Sequence, residues 1–139
     1  MSFRRTAIYM FCASNILSAS EACCDRSEAL RTGVYSNMRF NEDGGDLLGI
    51  EIWLLRSGNE YVVVFQSSEG APTLPVVADA LIENGALTFT VPAGNPYSGS
   101  TFTGYFSSKR LDGKFNSGQL APDGNSMIHL TLGRSYWQR

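Results

Sequence analysis

The chain has 139 residues, 43% of them hydrophobic, with 11 basic and 13 acidic side chains and a formal net charge of -2. That length holds one domain and one core, excludes a second catalytic domain, and the composition excludes a disordered chain. With no surplus of cations, the counterion-releasing face of a nucleic-acid binder and a polybasic membrane patch are both disfavoured.

Residues 1–22 read as a leader. Arg4 and Arg5 supply a cationic end, Thr6 to Leu17 a short apolar middle, and Ser20 and Ala22 the small residues at the minus-three and minus-one positions of a cut after Ala22. The apolar run is shorter than the roughly 20 residues needed to span a bilayer, and Asn15 interrupts it. A buried amphipathic N-terminal helix is the alternative. Removal of this signal segment would leave a secreted or periplasmic protein that begins at Cys23-Cys24 and is slightly more acidic. Lipidation of Cys23 would tether it to a membrane, although Ser20 stands where a lipoprotein signal carries an apolar residue. The other possibility for the adjacent cysteines is a vicinal or intermolecular disulfide. No Cys-x-x-Cys or Cys/His framework suggests zinc. Residues 23–31 form a linker, with one helical turn possible at Ser27 to Arg31.

From residue 32 to residue 139 the pattern is all-β. Turn residues recur about every ten positions between runs rich in Val, Ile, Phe, Tyr and Thr, as in an antiparallel meander of about eight strands closing into a small β-barrel. A β-sandwich is the alternative. Gly33 to Phe40 is the first strand. The Gly58-Asn59 turn sets Leu55 opposite Val62, Trp53 opposite Val64 and Glu51 opposite Gln66, with Leu54, Ile52 and Ile50 facing Val63, Phe65 and Ser67 on the other side. Both faces of this hairpin are apolar, so the second must be covered by something.

The Asn84-Gly85 turn pairs Ile82 with Leu87, Ala80 with Phe89 and Ala78 with Val91, leaving Asp79 toward solvent. For the next hairpin, a turn through Ser107 to Arg110 aligns Phe106 with Leu111, Gly104 with Gly113 and Phe102 with Phe115. That register keeps one face apolar, unlike pairing about Asp112-Gly113. Met127 to Leu132 is the last strand, and closure requires it to pair with the first.

The glycine-punctuated meander over residues 32–137 resembles the calycin group, the lipocalin and avidin-like barrels, at the level of architecture. Gly33-Val34-Tyr35 stands where lipocalins carry Gly-x-Trp, and Arg134 is the candidate for the arginine that packs across that ring. The resemblance implies a cavity for a small apolar ligand, and names none.

Candidate sites are few. Glu51, Trp53 and Gln66 share a face, and an acid opposite an amide beside an indole could orient a ligand with one polar end at a cavity mouth; alternatively Glu51 simply reaches water at a strand end. Tyr97 is a candidate aromatic contact on a rim formed by the loops at 41–46, 67–75 and 92–100. His129, the single histidine, falls on the polar side of its strand. The acidic loop Asn41 to Asp46 lacks the ligand spacing of a calcium-binding hand. Tyr136-Trp137 is expected to seal the barrel end.

These features lead to an exported, non-catalytic barrel without cofactor or metal that binds its partner non-covalently, a small ligand held in the barrel. A protein-binding or enzyme-inhibitor module acting through the rim loops is the first alternative. A hydrolase or isomerase using Glu51 as general base is the second. An interior filled by Trp53, Phe65, Phe89, Phe102 and Phe115 would argue against a ligand in the barrel.

Overall fold

A computed structural model describes residues 31–120 and 126–138. The expected leader, its cleavage point, both cysteines of the linker and most of the possible helical turn lie outside the described residues. Among the described residues, no helix is long and apolar enough to cross a membrane.

The strands are β1 (Gly33–Ser36), β2 (Arg39–Asn41), β3 (Asp46–Ser57), β4 (Glu60–Gly70), β5 (Val76–Glu83), β6 (Ala86–Thr90), β7 (Thr101–Ser107), β8 (Arg110–Ser117) and β9 (Ile128–Gly133). Each consecutive pair from β2 to β9 is antiparallel. β1 closes the circuit by pairing with β3 on one side and β9 on the other. The result is an eight-stranded barrel with β2 as an extra strand alongside β3.

The expected first strand, Gly33 to Phe40, is therefore broken in two. Asn37 causes the break: its side-chain Oδ1 accepts from the Ile50 N–H at 2.8 Å while its own N–H donates to the Ile50 carbonyl at 3.1 Å. The side chain takes the acceptor role that a continuous ladder would give to backbone. A Cβ on Gly49 would lie 2.7 Å from Asn37 Oδ1, so this close approach depends on glycine.

The turns fix the registers as their chemistry requires. Gly58, Asn84 and Gly85 all have positive φ, the conformation of primed hairpin turns. The pairings expected for β3 and β4 and for β7 and β8 are present. Ala80 pairs with Phe89 and Ile82 with Leu87, but the ladder does not extend to Ala78 and Val91, because Val91 lies beyond the end of β6.

The interior is filled by side chains. Phe65, Phe89, Phe102 and Phe115 form a closed circuit of ring contacts with centroids 5.3 to 5.9 Å apart, within the favourable range for aromatic pairs. Ile52, Leu54, Val63, Leu87, Leu111 and Leu130 pack with them, each without solvent exposure. Trp53 does not belong to this set, contrary to expectation. It alternates with Ile52 and Leu54 and projects to the outer side of the wall, where it is half-buried.

Candidate functional site

The outer face of the β3–β4 hairpin is covered at Glu51 and Gln66 by the chain's own C-terminal segment. After β9, a single 3-10 turn at Tyr136–Gln138 lies against Glu51 and Gln66. This corrects the expectation that Tyr136-Trp137 seals an end of the barrel: the segment clasps its side.

Glu51 anchors the clasp. Its carboxylate is only 1% exposed, and such a group is costly to bury unless donors surround it. Oε1 accepts from Trp53 Nε1 at 2.6 Å and from Ser135 Oγ at 2.7 Å, while Oε2 accepts from the Tyr136 N–H at 2.8 Å. Ser135 Oγ also accepts from the Trp137 N–H at 3.2 Å, capping the turn that it introduces. Gln66 stands opposite Glu51 in the expected register, but it does not satisfy the carboxylate. Its Nε2 donates to the Thr73 carbonyl at 2.6 Å and its Oε1 accepts from Trp137 Nε1 at 2.8 Å. The amide thus ties the C-terminal turn to the β4–β5 loop.

Glu51, Trp53 and Gln66 therefore do come together, on the outside of the wall rather than at a barrel mouth. With Leu55, Val64, Pro75 and Trp137 they line a half-open groove of about 490 Å³. Its polar groups are already engaged within the chain, so the surface offered to a ligand is predominantly the two indoles, Leu55, Val64 and Pro75. Trp137 is 52% exposed.

Tyr97 lies elsewhere. The loops around 42–45, 71–75 and 92–100 gather at one end of the barrel, because β2–β3, β4–β5 and β6–β7 all turn there. Asn95 links two of them, its Nδ2 donating to Thr73 Oγ1 at 3.2 Å and to the Leu74 carbonyl at 3.3 Å. Tyr97 is half-buried on this rim, and burial first, then the adjacent Glu69 carboxylate, raise its hydroxyl above the ordinary tyrosine pKa. At the same end a second recess, of about 320 Å³, opens over Ile50, Phe115 and Ile128.

His129 is exposed on the outer face of β9 and its Nδ1 lies 2.6 Å from Asp112 Oδ1, while Arg110 Nη2 lies 2.8 Å from the same oxygen. The carboxylate can only accept, so the imidazole proton resides on Nδ1. The 2.9 Å approach of Arg110 to that nitrogen is then a contact rather than a hydrogen bond. Glu42, Asp43 and Asp46 of the acidic loop are exposed, and among the described residues no three His, Cys, Asp or Glu side chains converge as metal ligands. Tyr35 is buried against Phe106, with Arg31 over the Phe106 ring at 5.5 Å; Arg134, the residue expected to pack across Tyr35, is exposed.

The Glu51 clasp is the arrangement that sequence reasoning missed. Its only local signals were the terminal Ser-Tyr-Trp and a hairpin apolar on both faces. No family model, curated protein or solved structure matches this chain.

Proposed function

We propose that this chain is an exported, non-catalytic binding protein that takes a small apolar molecule in the outer groove between Trp53 and Trp137. The observation that carries the reading is the groove itself, about 490 Å³ of mainly apolar surface, within the size range of small-molecule sites. The phenyl-packed interior supports locating the site outside the barrel. The three donors held by Glu51 all come from its own chain, which supports an anchoring role for that carboxylate over proton transfer. Export rests on the leader-like residues 1–22, and intact-mass measurement of the protein secreted by an expressing cell tests it: a cut after Ala22 is expected, and retention of residues 1–22 contradicts it.

Both tryptophans of the chain, Trp53 and Trp137, line the groove, so intrinsic fluorescence reports on it directly. Titration with 1-aminoanthracene should shift the emission and transfer energy saturably to the probe. Val64→Glu, which sets a charge among the apolar lining, should weaken binding at least about tenfold, equivalent to about 1.4 kcal/mol. Equal affinity in a folded Val64→Glu variant would contradict the assignment.

A further inference from the structure

The recess at the loop-bearing end of the barrel is separate from the outer groove and shares no lining residue with it. Its volume, about 320 Å³, lies at the lower end of the range for small ligands. The floor is apolar, formed by Ile50 and Phe115, with Ile128 as a wall. Its polar side chains are those of Asn37, Ser67, Ser68, Glu69, Gln119 and Ser126. Ser68 is buried and gives its hydroxyl proton to the Leu47 carbonyl at 2.6 Å. Ser67, also buried, lies beside it on β4. Glu69 carries the sole formal charge among the described lining residues, with no Lys, Arg or His to oppose it.

An apolar floor below an edge whose one formal charge is negative complements one kind of occupant. We propose that this recess binds a small amphipathic amine, its hydrocarbon or aromatic body on Ile50, Phe115 and Ile128 and its ammonium toward Glu69. A carboxylate ligand would meet Glu69 as a like charge, and a neutral one would lose the charge-assisted contact. This site stands independently of the outer groove.

The test uses the full chain, isotopically labelled, titrated separately with phenethylamine, 2-phenylethanol and 3-phenylpropionate while backbone amide shifts are followed. Phenethylamine should move the amides of Ser67, Ser68 and Ile128 and bind about tenfold more tightly than the alcohol, a difference of about 1.4 kcal/mol; the carboxylate should not saturate. Glu69→Gln, an exposed substitution, should bring the amine to the level of the alcohol. Ile128→Trp should block both, and if it does not fold, Glu69→Gln decides. Trp137→Ala should leave amine binding unchanged, which separates this site from the groove. Equal binding of amine and carboxylate, an unaltered amine preference in Glu69→Gln, or shifts confined to the Trp53 and Trp137 indoles would overturn the proposal.

Discussion

A carboxylate that is 1% exposed and holds three donors acts as a structural anchor. Glu51→Gln preserves shape but turns an amide N–H₂ toward groups that themselves donate. Hydrogen bonds to charged groups contribute about 1.5–3 kcal/mol each, so this change should lower unfolding stability by about 2–3 kcal/mol, read from urea midpoints. Ser135→Ala removes one such bond and should cost about 1–2 kcal/mol. Asp79→Asn, on the solvent side, should stay within about 0.5 kcal/mol of the parent. If Glu51→Gln behaves like Asp79→Asn, the clasp is not held by charge. Asp112 gives a pH-dependent counterpart. Its hydrogen bond from His129, and then those from Arg110, hold its pKa below the ordinary carboxylate value, against an opposing desolvation effect. A depressed folded pKa contributes stability that is present above the unfolded value and lost as pH falls through the folded one. Asp112→Asn should therefore be less stable than the parent near neutral pH, and the gap should close on acidification below the folded pKa. A gap that stays open below the folded pKa contradicts that sign.

At the level of elements, the β7–β8 hairpin depends on absent side chains. Gly104 and Gly113 face each other across the pair, and Phe102 fills the space above them. A Cβ on Gly113 would lie 2.5 Å from Phe102 Cζ and 2.6 Å from the Gly104 Cα. Since backbone cannot yield as a side-chain tip can, Gly113→Ala should destabilise by about 1–3 kcal/mol. Gly133→Ala, where nothing lies within 4 Å of the added atom, should be near neutral, and thermal midpoints of the two variants compare them directly. The register placing these glycines opposite one another was legible because the alternative paired Arg110 with Phe115. Likewise the Gly58 and Asn84-Gly85 turns announced positive φ through residue type. The division of Gly33 to Phe40 into β1 and β2 was not legible. It depends on Asn37 meeting Ile50 and on Gly49 leaving room, contacts between residues more than ten positions apart. The candidate site was half legible for the same reason. Strand alternation put Glu51, Trp53 and Gln66 on one face, but which face points outward is a property of the closed barrel. The donors from Ser135 and Tyr136 come from more than 80 positions away.

For the whole molecule, β1 closes the barrel by joining β3 to β9 and leaves the three-residue β2 paired on one side alone, and the circuit of four phenylalanines makes the enclosed volume a core. Phe65→Ala should consequently cost about 3–5 kcal/mol, as for a packed aromatic, measured by denaturant unfolding. A barrel built around a roomy ligand cavity would tolerate the same truncation more easily. With its interior committed to stability, the protein has its exterior groove and its loop-bearing end available for recognition, and the C-terminal turn, held by Glu51 and Gln66, forms one wall of the groove. The most direct test is an NMR titration of the uniformly labelled protein with 1-aminoanthracene, following the two indole N–H resonances and the phenylalanine ring resonances together. Saturable shifts at Trp53 and Trp137, with the rings of Phe65, Phe89, Phe102 and Phe115 unmoved, are the predicted result. Movement of those four rings with the indoles unchanged would put the ligand inside the barrel and contradict the account.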